Sequence, residues 1–264
     1  MRVALKIAYD GRAFHGHQRQ PHARTVEGEC LTALRAAKIL RDPQESYFRS
    51  ASRTDRGVSA VGNVVAFDSA LRPKAVLGAF NDRARDVWAW AYAEVPEDFH
   101  PRHAIERWYR YHVFENVPLD SFREAGSLFV GQHDFRCFTS DPPPGLFAIN
   151  RIDVAAETDA VVVDVHAQSF RRGMVRRIVA AMLSHARGDA DLETIRAALR
   201  GERQDFGAVP PEPLFLMDID YGFPFSPLMQ PKVFDESQIM RIEARLRLRW
   251  LNALADASFR SRRE

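Results

Sequence analysis

The feature that most constrains the fold is a hydrophobic period that switches between two and about 3.6 residues, in the same order, twice along the chain. Val3, Leu5, Ile7 and Tyr9 alternate onto one face and predict a strand. Thr25 is placed to cap a helix running to about Leu40, with Val26, Cys30, Leu34 and Ala37 facing a core. Strand-like segments at Tyr47–Ala51 and Asn63–Phe67 flank a polar turn, a helix opens near Pro73, and Val87–Val95 closes the series. Two prolines and two acids in Pro96–Pro101 then break the pattern. Beyond them the rhythm returns: strand Ile105–Phe114, helix Ser121–Val130, strands Ile149–Ala155 and Val161–Ala167, helices Phe170–Arg187 and Leu192–Leu199, strand Leu214–Asp220.

Strand, helix, strand, strand, helix, strand is the order of a ferredoxin-like, RRM-like split unit. The chain is therefore expected to be α+β: two such halves, 1–98 and 99–224, sharing a mixed, mostly antiparallel sheet flanked by helices, with a cleft between them. No repeat is visible in the residues themselves. Residues 225–264 add a helical extension, with a helix over Glu236–Ala255 and a basic end at Arg260–Arg263.

Composition excludes several classes. With 46% hydrophobic and 27% charged residues the chain is globular rather than disordered, and no apolar run reaches the roughly 18 residues of a membrane span. Lys6 and Asp10 interrupt the first apolar stretch, unlike a secretory signal. Cys30 and Cys137 lack the paired spacing of a zinc site and fit a reducing compartment, so a cytoplasmic protein is expected. Net charge is only +2, yet lysine occurs at just Lys6, Lys38, Lys74 and Lys232, so nearly all positive charge is arginine. The arginines gather at Arg102/Arg107/Arg110, Arg171/Arg172/Arg176/Arg177 and Arg241/Arg245/Arg247/Arg249. Guanidinium groups so grouped suit phosphate. The last cluster reads instead as a solvated helix face beside core-like Ile242, Leu246 and Leu248.

The segment Ala51–Ala60 places Asp55 on a short turn between strands, bracketed by Arg53 and Arg56 and followed by Gly57. Flanking guanidinium groups favour the carboxylate, and a turn presents it outward, as a carboxylate nucleophile requires. Taken alone, an Asp-x-Gly turn is more often structural. Arg107, Tyr109 and Tyr111 share one face of a strand by their period of two. On the following long helix Met174, Ile178 and Met182 form a core stripe, with Arg172 and Arg176 on roughly the other side. His15, His17 and His22 sit among Gln and Arg without cysteine or carboxylate, so no metal site is expected.

Several short motifs, in order, resemble the tRNA pseudouridine synthase A (TruA) family: Tyr9-Asp10-Gly11 with Phe14, Gly16 and Gln18-Arg19-Gln20; Arg53-Thr54-Asp55 with Gly57-Val58; Phe99-His100 with Arg102; Arg107-x-Tyr109-x-Tyr111; Gly131-x-His133-Asp134-Phe135; and Phe170 with Met174-Val175-Arg176 and Ile178-Val179. The resemblance spans roughly Val3 to Tyr221. It implies the pseudouridine synthase fold and an isomerase that converts uridine to pseudouridine in the tRNA anticodon stem-loop, at positions 38, 39 and 40, without cofactor or metal. It implies catalytic roles for Asp55, as nucleophile toward the base at C6 or the sugar at C1′; for Tyr109, stacked on the uracil and placed to take the C5 proton; and for Arg176, paired with Asp55. It implies RNA contacts by Arg53, which would fill the space left by the extruded base, and by Phe14, Gln18, Gln20, Arg107, Tyr111, Arg171, Arg172 and Arg177. It also implies a homodimer in which one tRNA touches both subunits.

Three positions depart from the pattern. Ser59 stands where histidine is frequent, Arg56 where a small residue is common, and Pro213 where glycine precedes the last strand; Pro210–Pro213 is accordingly expected to be an extended edge or loop. Two other classes remain at this stage: a non-catalytic tRNA-binding or folding protein on the same scaffold, and a small-molecule enzyme.

Overall fold

The computed structural model describes residues 1–141 and 146–260; the basic end Arg260–Arg263 named above lies outside the described side chains. Residues 1–226 form one compact unit and residues 227–264 a second. The first unit contains strands β1 (Arg2–Tyr9), β2 (Arg49–Ser50), β3 (Ser59–Asp68), β4 (Val87–Val95) and β5 (Glu106–Val113), a small β6/β7 pair (Gly131–His133, Phe147–Ile149), then β8 (Arg151–Ala156), β9 (Val161–Ala167) and β10 (Leu214–Asp220). Its helices are α1 (Val26–Ala36), α2 (Pro73–Arg83), α3 (Leu119–Ser127), α4 (Met174–Ala186) and α5 (Leu192–Leu199).

Local chemistry accounts for the helix ends. Thr25 accepts a hydrogen bond from the Gly28 N–H at 3.2 Å, Pro73 opens α2, and Asp191 caps α5 at 2.7 Å from the Thr194 N–H. Helix α4 begins at Met174 rather than at Phe170, because Gly173 takes a left-handed conformation, φ 71°, and holds residues 170–172 outside the helix. Helix α1 ends at Ala36, short of Leu40, and the strand expected over Tyr47–Ala51 pairs only at Arg49 and Ser50.

The sheet runs β4-β1-β3-β10-β5-β9-β8, with β2 also paired to β3. Within each half the order is the same, β4-β1-β3-β2 and β10-β5-β9-β8, and every pair is antiparallel. The halves meet where β10 lies parallel to β3, through Phe215↔Ser59 and Leu216↔Ala60. This is the mixed, mostly antiparallel α+β sheet expected from the two series. Since β1 covers one edge of β3 from Asp68 to Ala60, with one irregularity, β2 and β10 must share the other edge. Strand β2 takes Val65 and Ala66 and β10 takes Ser59 and Ala60; between them the Ala51 N–H still bonds the Val64 carbonyl at 2.8 Å, and among the described residues positions 61–63 belong to neither ladder. The cores follow the halves: Leu34, Phe67, Leu77 and Phe80 in the first, and Phe122, Phe129, Phe138, Ile178 and Met182 in the second, are at most 2% exposed.

The second unit is one helix, α6 (Pro231–Arg260), longer than the Glu236–Ala255 helix expected. Ile242, Leu246 and Leu248 were expected to be core and are 56%, 61% and 59% exposed. Amphipathic spacing shows which residues share a helix face, but burial also needs a second element, and α6 is the one helix among the described residues of this unit.

Candidate active site

Asp55 sits on the loop that leaves β2 at the point where the free edge of β3 passes from β2 to β10. Loop residues alternate as a strand would. Ser52 and Thr54 are buried, Arg53 is exposed, and the Asp55 carboxylate is about one-third exposed. Gly57, with φ 88°, turns the chain back, and the Val58 N–H closes the turn on the Asp55 carbonyl at 3.2 Å.

Two guanidinium groups from the far half face the carboxylate. Arg176 Nη1 lies 3.4 Å from Asp55 Oδ2, and Arg172 Nε lies 3.8 Å from Oδ1. They are held differently. Arg176 also donates from Nε to the Val209 carbonyl at 2.7 Å, and its own carbonyl accepts from the Val209 N–H, so its guanidinium is aimed by the 208–210 loop. Arg172, its side chain 68% exposed, has no such tether among the described residues. The expected Arg176–Asp55 pair is thus present, at the long end of hydrogen-bond reach.

A recess of about 80 Å³ beside the carboxylate is lined by Tyr109, Phe170, Gly173, Met174 and Leu214, and opens toward a cleft of about 960 Å³. Tyr109 and Phe170 meet edge to face, with ring centroids 5.0 Å apart. Burial pushes the Tyr109 phenol up to about 12, against the lowering effects of Arg107 and a Ser52 hydrogen bond, so the ring carries a neutral O–H at neutral pH. Arg53, Arg102, Arg171 and Arg172 line the wider cleft. Apart from the Arg172–Asp55 approach, none of these four guanidinium groups has an ion-pair partner among the described residues.

Other expected contacts lie elsewhere. Arg107 reaches the cleft wall but is 6% exposed; it donates to Ser52 Oγ, to the Arg102 carbonyl and to the Gln168 carbonyl, leaving it a brace between halves. Tyr111 donates to the Pro210 carbonyl and lines a separate groove on the other side of that loop. Arg177 turns away from Asp55 toward Asp205, 3.3 Å distant. Phe14 is buried against Tyr9, with the Arg24 guanidinium over its ring. Gln18 and Gln20 are exposed, and both line the cleft. On the opposite sheet face Arg110 is paired with Asp164 at 2.7 Å and Glu157 at 3.3 Å. Pro213 lies in the expected loop, its carbonyl accepting from the His112 N–H.

Sequence reasoning missed the residues that hold the loop. Tyr9 Oη lies 2.9 Å from Thr54 Oγ1, Asn63 is wholly buried and bonds both Tyr9 and Ser52, and the His17 N–H donates to the Thr54 carbonyl at 3.1 Å. Asn63 carried a readable signal, an amide at the head of an apolar strand. His15 and His22 are exposed, and no cluster of three or more His, Cys, Asp or Glu among the described residues is arranged to hold a metal.

A carboxylate fixed between two arginines, beside an aromatic recess and a cleft rimmed with unpaired guanidinium groups, is the equipment of an enzyme acting on a base drawn out of a polyanion. A family model described as tRNA pseudouridine synthase matches residues 125–222. The tRNA pseudouridine synthase A of Pyrococcus furiosus is 46% identical over 230 residues, 84% of each chain. That of Thermococcus sibiricus is 42% identical over 227 residues, and that of Methanococcoides burtonii 41% over 231. The chain belongs to the tRNA pseudouridine synthase A family. Among solved structures, the archaeal box H/ACA Nop10–Cbf5 complex overlaps at a TM-score of 0.35 and 15% identity, covering 69% of this chain and 43% of that one; the family assignment stands on the sequence relatives.

The loop's supports also set its tolerance of acid. His17 is 1% exposed, its Nε2 has no partner, and burial, aided by the Arg53 charge, pushes its pKa down to about 4. An unfolded histidine titrates near 6.5, so between about pH 4 and 6.5 the unfolded chain binds a proton that the folded one refuses. Stability therefore falls as pH drops through that window, by up to about 3 kcal/mol from this residue. Denaturant melts of wild type and His17→Phe at pH 4.5 and 7 should show the smaller acid penalty in the variant; equal penalties would show that His17 is not its source.

Proposed function

We propose that this protein isomerises uridine to pseudouridine at positions 38, 39 and 40 of the tRNA anticodon stem-loop. The observation that carries the reading is the Asp55 carboxylate, pinned on a bonded loop, paired with Arg176 and facing the Tyr109–Phe170 recess. The C1′–N1 bond breaks, the base turns, a C1′–C5 bond forms, and the C5 hydrogen is replaced by one on N1. No atom is gained or lost and no redox partner is needed. Asp55 supplies the carboxylate that attacks the base or the sugar, and Arg176 orients it and balances its charge.

Arg53 is the residue free to follow the extruded base into the stack. It projects from the loop between buried Ser52 and Thr54, and base extrusion costs a few kcal/mol that a replacement contact offsets. Arg171 and Arg172, with Arg102, supply phosphate contacts along the cleft, and Gln18 and Gln20 the amides at its rim. Tyr109 covers the uracil with its ring and carries a neutral O–H; to take the C5 proton it must first pass its own to N1, the atom that ends the isomerisation protonated. The protein works in the cytoplasm as a homodimer presenting two clefts to one tRNA. No helix among the described residues is long and apolar enough to cross a membrane.

Asp55→Asn should abolish tritium release from tRNA labelled at uridine C5 while leaving tRNA affinity within a few fold; release by the variant, or none by wild type from several unmodified tRNAs, would remove the catalytic reading. Tyr109→Phe keeps the ring and removes the O–H. Rates should fall about 10²- to 10⁴-fold with binding intact if the phenol moves the proton, whereas an unchanged rate reduces Tyr109 to a stacking surface. Light scattering on the eluted protein should return twice the chain mass, and a monomer with and without tRNA would sink the dimer.

A further inference from the structure

We infer that Asn63 is the positioning residue for Asp55, acting through its carboxamide as a substitute strand at the gap in the β3 edge. The inference rests on the catalytic reading of Asp55 above. Asn63 lies between the stretch of β3 paired with β2 and the stretch paired with β10, and its side chain fills the missing place. Its Oδ1 accepts from the Ser52 N–H at 3.2 Å and from the Val64 N–H at 2.8 Å. Its Nδ2 donates to the Ser52 carbonyl at 3.0 Å and to Tyr9 Oη at 3.1 Å. Both donors and both acceptor sites are therefore used, in a residue with no exposed surface. The paired bonds to Ser52 N–H and carbonyl repeat what a neighbouring strand would offer.

From there the connection to the carboxylate is short. Ser52 is held at three points, its N–H and carbonyl by Asn63 and its Oγ by Arg107 of the far half at 3.1 Å. Thr54, next to Asp55, is held at two, its Oγ1 by Tyr9 at 2.9 Å and its carbonyl by His17. Tyr9 in turn receives its bond from Asn63. One carboxamide thus fixes both residues flanking Arg53 and leaves Arg53 free.

The Ser52 carbonyl requires a donor and the Ser52 and Val64 N–H groups an acceptor, and the amide's second donor, given to Tyr9 Oη, leaves the phenol O–H to serve Thr54. Asn63→Asp keeps size and shape but cannot supply both donors, and Tyr9→Phe removes only the phenol link to Thr54. Single-turnover rates at saturating tRNA, with tRNA affinity measured separately, read positioning apart from folding. A displacement of about 1 Å can cost on the order of 10²-fold in rate. Asn63→Asp should therefore turn over about a hundredfold more slowly and Tyr9→Phe about tenfold, both binding tRNA within threefold of wild type. The double variant should be no more than threefold slower than Asn63→Asp, because both act through one network. A folded Asn63→Asp with a rate within threefold of wild type overturns the inference. So does a rate loss matched by an equal loss of affinity, or losses that multiply in the double variant. If Asn63→Asp does not fold, Tyr9→Phe decides, and an unchanged rate there is the refutation. Inactive wild type would count against the catalytic reading itself and is seen in the same assay.

Discussion

Everything at the site depends on how one edge of β3 is divided. A full-length β2 would zip along that edge, exclude β10, and leave the two halves as separate sheets. Because β2 stops after two residues, β10 can dock parallel to β3, and the loop released between them emerges at the seam. The carboxylate is carried by the near half, while Arg172 and Arg176 reach it from the region just before and within α4 of the far half. A gap in a buried sheet edge leaves backbone polar groups without partners, each costing about 1–3 kcal/mol if unmet. The Asn63 carboxamide removes that cost at the position where the strand is missing.

The arginines divide into those that shape the protein and those left for a partner. Arg107 is desolvated, and burial lowers its affinity for the proton; its nitrogens are committed to two backbone carbonyls and a serine hydroxyl, so it behaves as a cross-brace. Arg110 is spent on Asp164 and Glu157. Among the described residues, Arg53, Arg102 and Arg171 at the cleft have no ion-pair partner. A surface ion pair is worth little, so leaving three cations unpaired sacrifices little stability and preserves their full charge for phosphate. That arrangement, and not the net charge of +2, is what makes the cleft fit for a polyanion.

Much of this was legible before the structure. Period and turn chemistry placed α5 and strands β9 and β10 to the residue, because each is a run of one clear period bounded by polar or proline-rich segments. The Asp55–Arg176 pair followed from family motifs 121 residues apart in the chain. What stayed hidden depends on neighbours that no local pattern encodes. The side chains of Arg107 and Tyr111 lie on the expected face of β5, yet which carbonyl each meets is decided by the loops at 168 and 210. The apolar positions of α6 share a helical spacing, yet Ile242, Leu246 and Leu248 are exposed, since periodicity reports which residues share a face and not what covers it. The hold on Arg176 comes from the backbone of Val209, and backbone groups have no signature in a sequence.

On the proposed reading the loop that carries Asp55 has to satisfy two opposed demands. Asp55 is to be fixed within a fraction of an ångström for its chemistry, while Arg53, two residues away, is to move as a base is drawn out of its stack. A uniformly rigid loop would serve the first and a flexible one the second. Extended backbone meets both, because its period of two sends Ser52 and Thr54 inward and Arg53 outward. The inward pair takes every tether supplied by Tyr9, His17, Asn63 and Arg107, and the outward residue takes none. Tethered and untethered side chains thereby alternate along one short segment, which an extended backbone provides and a tighter turn does not.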